Sequence, residues 1–474
     1  SPGDDDDLPP PPPSRRVRSR PAPPEEEDDD EILVVDSTGA EPGAGDGDVD
    51  VDGDGGGGED FVADGDSAAD FFAAPSPADA DADSIPGAGV PPPDADTLRL
   101  MISTDNHLGY AERDHIRGND SFAAFEEVLS LAKSQHCDMV LLAGDLFHEN
   151  KPSRRTLHRT IGILRRYALG PNPVRFRVVS DQAANFRGSG RVNFEDENYS
   201  VDLPIFSIHG NHDDPTREGG QETLAALDLL SVCNLVNYFG RQDEVDRVEI
   251  GPVIVNKGET NVAIYGLGNM RDERLNRMWQ KRKVRFTRPA GEDGDDDDGD
   301  DEAPGDVLTD MRGGGAGSSS SRPKKFFNIF AIHQNRESGR GAKNCVHESM
   351  IPAWMDLIVW GHEHECKIEP LESLVGTFRI SQPGSSVATS LTAGESVRKH
   401  VGILDIRGEL FRMTKVPLSQ VRSFAMGEMV LKDYGEELDP DCPDVDQRVS
   451  DLLAAKVKEL VEAAREGAQA LMED

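Results

Sequence analysis

From about residue 98 onward the chain repeats one pattern: a short apolar run that ends in a polar turn. LRLMIS (98–103) leads into TDNHLG, MVLLA (139–143) into GDLFHEN, and PIFSI (204–208) into HGNHDDP. FNIFAI (327–332) leads into HQN, and DLIVW (356–360) into GHEHE. Continuous apolar runs of this length suit strands buried on both faces. Between them lie segments with apolar positions at helical spacing: SFAAFEEVLSLAKSQ (121–135), RRTLHRTIGILRRYAL (154–169) and QETLAALDLLSV (221–232). In the second of these, Leu157, Ile161, Leu164 and Ala168 fall on one face. The alternation predicts an α/β sandwich. Its polar turns then gather at the carboxyl ends of the strands, where ligands bind in such sheets.

The pattern changes towards both ends. HVGILDIRGELFRMTKVPL (400–418) reads as a hairpin turning at RG. QRVSDLLAAKVKELVEAAREGAQALMED (447–474) reads as a long charged helix. Residues 417–474 are therefore read as the start of a smaller α+β capping domain, the alternative being that the helix packs back on the first domain. Residues 1–97 are mostly Asp, Glu, Pro, Gly and Ala, too poor in apolar surface to offset the entropy of ordering, and read as a disordered acidic tail. Residues 289–325, with GEDGDDDDGDDEAPGD and GGGAGSSSS, read as a flexible acidic insertion in a main domain of 98–416.

A net charge of −39 argues against a nucleic-acid partner only if it is spread evenly. It is not: residues 1–97 carry 28 carboxylates against 4 arginines, and 292–302 add nine more carboxylates, leaving about −6 for the rest. Five scattered cysteines with no CxxC pair suit a reducing compartment better than secretion. No apolar run approaches the roughly 18 residues of a membrane span, so no membrane partner is expected. The charged, Pro-rich start is unlike a signal peptide, and a first residue that is Ser rather than Met fits a trimmed terminus. RRVRSR (15–20) is either a nuclear-targeting segment or a solvated basic spot.

Each of the five turns carries residues that ligate metals: Asp105 and His107, Asp145, Asn211 with His212 and Asp213, His333, and His362 with His364. Any one alone would pass as a helix cap or a structural histidine; five in order after five strands would not. Residues i and i+2 of an extended chain project to the same side, which pairs Asp105 with His107 and His362 with His364. Gly144, Gly210 and Gly361 allow sharp turns and a close backbone approach to an ion. A donor set of carboxylate, carboxamide and imidazole without thiolate suits Mn, Fe(II) or Zn, and disfavours a structural cysteine-type zinc site.

The order DxH, GD, GNHD, H, GHxH resembles the calcineurin-like metallophosphoesterases. The flanking words TDNHLGY, RGNDSF, GDLFHENKPSRRTLH, FSIHGNHDDPT, IYGLGNMRDERL, IHQNR, VWGHEHECKI and SQPGSSVATSL narrow it to a resemblance, over about 98–465, to the meiotic-recombination-eleven/SbcD nucleases. The resemblance implies a manganese-dependent nuclease of double-strand-break repair, nuclear, acting in meiosis and homologous recombination, with 3′-to-5′ duplex exonuclease and single-strand endonuclease activities. It implies two Mn2+, with Mg2+, Fe2+ or Zn2+ as other occupants. One ion would be held by Asp105, His107 and His364, the other by Asn211, His333 and His362, with Asp145 bridging. His212 would contact the phosphate or protonate the leaving oxygen. His148 matches a second catalytic histidine, or else hydrogen-bonds Asp145. Asp213 would orient His212.

The implied partners are DNA ends, a second copy of the chain, an SMC-like ABC ATPase and a nibrin-type regulator. Dimer helices would use the stripe of 154–169 or Leu224, Leu227 and Leu230, which the chain's own core would explain equally well. Residues 181–204 match a loop that fits a regulator contact, or form an ordinary surface loop. Arg113, Arg117, Lys151, Arg154, Arg155 and KRKVRFTR (281–288) either hold DNA phosphates or form solvated patches. The family's capping domain continues beyond the last helix here, which leaves ATPase binding in question. A protein Ser/Thr phosphatase would carry GDxxDRG and RGNHE, where this chain has GDLFH and HGNHD. A non-catalytic DNA-end tether would have eroded ligands, and none of the seven is missing.

Overall fold

The computed structural model of the chain describes residues 91–217, 223–244, 246–289, 325–336, 341, 343–422, 424–435, 438 and 442–473. The acidic stretch up to residue 90, its RRVRSR segment, and residues 290–324 of the acidic insertion lie outside the described residues. Residues 91–97, grouped with the tail by composition, are tied to the body. The Pro91 carbonyl accepts from Arg99, and Asp96 accepts from the backbone of Glu259.

Two mixed sheets form the body. From edge to edge, the first runs Leu410–Pro417, His400–Arg407, Leu98–Ser103, Met139–Ala143, Ile205–Ile208 and Asn237–Tyr238. Its last four strands are parallel, and the 400–417 hairpin adds antiparallel to Leu98–Ser103. The second runs Lys367–Glu372, Arg379–Gln382, Leu357–Gly361, Phe327–His333, Thr260–Leu267, Pro252–Lys257 and Arg177–Val178. The four from Arg379–Gln382 to Thr260–Leu267 are parallel, with antiparallel strands at both edges.

The unbroken apolar runs follow from this layering, because alternate side chains of one strand feed two different cores. Leu98, Leu100 and Ile102, Leu141 and Ala143, Ile329 and Ala331, and Leu357 and Val359 pack together between the sheets. Met101, Val140 and Leu142 point outward to the helices Asp120–Ser134, Arg154–Ala168 and Ala226–Val232. Phe330, Ile332, Ile358 and Trp360 point outward on the other side, against Leu275, Met278 and Trp279 of helix Asp272–Gln280. Helix, sheet, sheet and helix make four layers, and each fully buried large side chain contributes roughly 1.5–3 kcal/mol.

The helical stripe of 154–169 belongs largely to this core: Leu164 and Ala168 are buried, with Leu157 and Ile161 packed at its margin. Leu227 and Leu230 are buried as well, whereas Leu224 is exposed. The expected helix at 221–232 is shorter than its apolar spacing suggests. Thr223–Leu224 forms a strand with Thr216–Arg217, and the helix starts at Ala226, where Asp228 accepts from the Ala225 amide. Within 181–204, Phe186 and Val192 insert into the inter-sheet core, so this stretch is more than surface loop.

At the pole away from the strands' carboxyl ends, buried charges tie the sheets together. Lys257 of the second sheet donates to Asp138 at the start of a first-sheet strand, 2.7 Å away, and within the first sheet Arg99 pairs with Asp405. After Pro417, Ser419 and Arg422 bond Glu127 and Asp120 of the first helix, and the chain ends in helix Val445–Glu473, whose Leu460 packs on Gly427. No helix among the described residues is long and apolar enough to cross a membrane.

Candidate metal centre

All seven expected ligands meet where the two sheets approach each other at their strands' carboxyl ends. Asp105, His107, Asp145 and Asn211 come from turns of the first sheet, and His333, His362 and His364 from the second. Ligand atoms of Asp105, His107 and His364 lie within 4.8 Å of one another, as do those of Asp145, His333 and His362. Asn211 Oδ1 stands 2.8 Å from His362 Nδ1 and 3.3 Å from His333 Nε2. Asp145 Oδ2 faces both groups, 3.2 Å from His333 Nε2 and 3.9 Å from His107 Nε2.

The local backbone is not the extended chain that i, i+2 pairing assumes. Asp105, His107, Asp145 and His362 all take positive φ (51°, 44°, 49° and 81°), a region that side chains other than glycine rarely occupy. Such strain persists only where the surroundings impose it, and it concentrates at functional sites. Here the Asp105 and His107 amides donate to the carbonyls of Gly144 and Asp145, locking the two turns together. A Cβ on Gly144 would lie 2.2 Å from His333 Nδ1, and one on Gly361 2.2 Å from the Ala143 carbonyl, so the sheets could not approach so closely with larger residues.

Each imidazole is pinned through one nitrogen, which leaves the other for the centre. His333 Nδ1 donates to the Ala143 carbonyl (2.8 Å), so Nε2 faces Asp145. His364 Nδ1 lies 3.0 Å from Glu395 Oε1, and its Nε2 lies 3.4 Å from Asp105. His362 is reversed: Nε2 lies 2.9 Å from Asn335 Oδ1, and Asn335 in turn donates to Asp272 (2.6 Å). His107 directs Nε2 inward, with Nδ1 3.4 Å from His148 Nδ1.

Both carboxylates are half satisfied. Asp105 Oδ2 accepts the His362 amide and Asp145 Oδ1 the His212 amide, whereas Asp105 Oδ1 and Asp145 Oδ2 are buried with no donor aligned on them. Buried acceptors of this kind are expensive unless something positive meets them. Burial alone would raise the Asp145 carboxyl, but the His333 imidazole holds it down to about 2; Asp105 is also lowered against its burial. His333 is in turn raised to about 9 against its burial, by Asp145 and Asp105, and His364 to about 10, by the carboxylates of Asp105 and Glu395 beside it. Burial pushes His107 and His362 down, to about 3 and about 4, leaving them neutral with free lone pairs. Left to itself the pocket gathers protons as its cations, and two orphaned carboxylate oxygens among oriented imidazoles fit a pair of divalent ions.

The remaining expected residues fall around this centre. His212 and His148 stack with ring centroids 5.1 Å apart, both edge-on to His107. Among the described residues His148 shows no hydrogen bond to Asp145; its Nδ1 lies 3.4 Å from His107 Nδ1, and its ring also packs edge-on to Tyr110. Asp213 does not orient His212 as expected. It is fully buried and accepts from the amides of Leu146, Phe147 and Gly210, stitching the Asp145 turn to the Asn211 turn, while His212 Nδ1 lies 2.7 Å from the His148 carbonyl. Cys366 stands apart, 3.7 Å from His400 Nδ1.

Sequence reasoning missed Asn335 and Glu395. Asn335 lies two residues past His333 and carried the same i, i+2 signal as the other pairs. Glu395 follows no apolar run, so nothing local marks it. Among the basic candidates, Arg113, Arg117, Lys151, Arg154 and Arg155 are exposed, Arg117 pairing with Asp114; Arg288 lies over the Trp354 ring.

The model of the calcineurin-like phosphoesterase family matches residues 98–366, and that of the Mre11 DNA-binding presumed domain matches 411–474. The chain is 49% identical over 353 residues to the double-strand break repair protein MRE11 of Arabidopsis thaliana, covering 73% of this chain and 45% of that protein. It is 50% identical over 354 residues to the protein of that name in Oryza sativa subsp. japonica (73% and 46%) and 44% identical over 373 residues to that of Homo sapiens (78% and 48%). The chain thus spans about half the length of the relatives it matches.

Proposed function

The chain belongs to the calcineurin-like phosphoesterase family, on its MRE11 branch, and on that premise we propose that it is a metal-dependent DNA nuclease that processes broken ends. The observation that carries this reading is the pair of orphaned buried carboxylate oxygens, Asp105 Oδ1 and Asp145 Oδ2, set among four oriented imidazoles. Asp105, His107 and His364 would hold one Mn2+, Asn211, His333 and His362 the other, and Asp145 would touch both. When bound, two such ions supply Lewis acidity and lower the pKa of water beside a phosphodiester.

The chain's own groups supply the rest. Asp213 fixes the spacing of the two turns. His212 is oriented by donating from Nδ1 to the His148 carbonyl, so Nε2 is the atom available to meet a phosphate oxygen and deliver a proton to the leaving group. His148, stacked on His212 and set against His107, helps to hold both rings and borders the same space.

The fuller expectations rest on the likeness to MRE11: duplex exonuclease and single-strand endonuclease action, a nuclear setting, self-association, and binding to an ATPase and a regulator. The same likeness supports reading 417–474 as the start of a capping domain that contacts DNA. The test is incubation with end-labelled duplex and single-stranded DNA in Mn2+, beside the Asp145→Ala variant and an EDTA control. Metal-dependent cleavage lost in the variant is the expected result. Cleavage of a phosphopeptide but not of DNA would overturn it in favour of a phosphatase, and cleavage of neither would favour a tether.

A further inference from the structure

We propose that Glu395 is a positioning residue of the metal centre: its carboxylate, anchored by Lys399, holds His364 with Nδ1 protonated and Nε2 aimed at Asp105 and His107. This inference rests on the two-ion reading given above. Glu395 closes a short 3-10 turn, Ala393–Glu395, in the loop between strands Arg379–Gln382 and His400–Arg407. It is buried with Lys399, their side chains 3% and 2% exposed, and such charges are almost never buried unless paired, as these two are.

The two carboxylate oxygens share the Thr389 amide (3.3 and 3.2 Å) and otherwise have different partners; the Thr389 hydroxyl donates to Oε1 (3.2 Å) and lies 3.0 Å from His364 Nδ1 beside it. Oε1 lies 3.0 Å from His364 Nδ1 and 3.0 Å from both the amide and the hydroxyl of Ser390. Oε2 accepts from Ser385 Oγ (3.1 Å) and from Lys399 Nζ (3.1 Å), and Lys399 also donates to the His364 carbonyl (3.1 Å). Lys399 therefore holds both ends of the arm, the carboxylate and the backbone of the histidine it serves. His333 and His362 lean instead on neutral acceptors, the Ala143 carbonyl and the Asn335 carboxamide. A carboxylate behind an imidazole fixes its tautomer and makes it a stronger donor to a metal. Of the two candidate ion positions, the one formed by Asp105, His107 and His364 is the one that Glu395 serves.

The competing role for Glu395 is a loop staple, and two variants separate the two. Mn2+ binding is titrated by calorimetry and electron paramagnetic resonance on the wild-type chain, on Glu395→Gln, and on the double variant Glu395→Gln/Lys399→Met. Melting temperatures are measured in EDTA. The wild type should bind two ions. Glu395→Gln should weaken one of them by about 10–100-fold and leave the other unchanged. The double variant, which removes the unpaired lysine, should regain melting temperature without regaining affinity. Affinity in Glu395→Gln within twofold of wild type, or affinity restored together with stability in the double variant, overturns the proposal. A wild type that binds fewer than two ions overturns instead the two-ion reading beneath it.

Discussion

Gly210 lies directly against the carboxylate of Asp145: a Cβ built on it would stand 2.0 Å from Asp145 Oδ1 and 2.6 Å from the Asp145 amide. The turn that presents Asn211 can sit beside the turn that presents Asp145 only because the residue between them has no side chain. Gly210→Ala should therefore push one ligand turn off the other. A displacement of about 1 Å costs on the order of 100-fold in rate, so Mn2+-dependent cleavage of labelled duplex should fall by at least that much. A variant within threefold of wild type would show that the contact is tolerated.

Metal loading should stabilise the fold, because the ions would meet acceptors that nothing else satisfies. At a free Mn2+ concentration 100 times the dissociation constant, each site should add roughly 2.7 kcal/mol. In differential scanning calorimetry this appears as a rise in melting temperature with Mn2+ that EDTA reverses. Asp145→Ala, which removes the carboxylate that faces both groups, should lose most of the rise. An equal rise in that variant would place the binding elsewhere.

His209 gives a pH dependence that does not need the ions. Its ring is buried beside Gly268, with Nδ1 2.7 Å from the Tyr238 hydroxyl, and burial pushes its pKa down to about 4. The unfolded chain keeps a value near 6.5. Unfolding then takes up a proton between these values, so this contribution is intact above about pH 6.5 and is lost as pH falls towards 4, to a total of about 3 kcal/mol. Chemical denaturation in EDTA should show that slope in the wild type and less of it in His209→Gln. Equal slopes in the two proteins would count against the buried neutral histidine.

Lys257 and Asp138 should matter for stability and not for the metal. Removing one partner leaves a charge stranded between the sheets, so Lys257→Met should cost about 3–5 kcal/mol. The double variant Asp138→Asn/Lys257→Met should recover much of that. Urea titration measures the first effect and calorimetry the second. A changed Mn2+ affinity in Lys257→Met would show that the two poles are coupled.

The cysteines should label unequally. Cys233 is exposed, whereas Cys137 is buried and burial pushes its thiol pKa upward. Brief treatment with a maleimide followed by mass spectrometry should modify Cys233 first and spare Cys137 until the chain unfolds. Early modification of Cys137 would mean that the first sheet opens in the native state.

What the sequence determined by itself was the set of parts and their order. Apolar runs such as 98–103 and 357–361 identify buried strands because a sheet covered on both faces needs side chains that avoid water on either side. The candidate ligand residues were legible for a related reason, since each stands in the turn that follows such a run. The site also stays local within each turn: Asp105 with His107, and His362 with His364.

Tertiary structure decided what periodicity cannot carry. Which face of each strand joins the inter-sheet core depends on a partner sheet far away in sequence. The left-handed conformations of Asp105, His107, Asp145 and His362 are imposed by hydrogen bonds and close contacts between turns, so these residues converge on a backbone that an extended i, i+2 picture does not describe. Asp213 faces backbone amides rather than His212 because two turns must be stitched together there. Glu395 lies 31 positions from His364 in a loop with no periodic signal, and the fold alone brings its carboxylate to that ring.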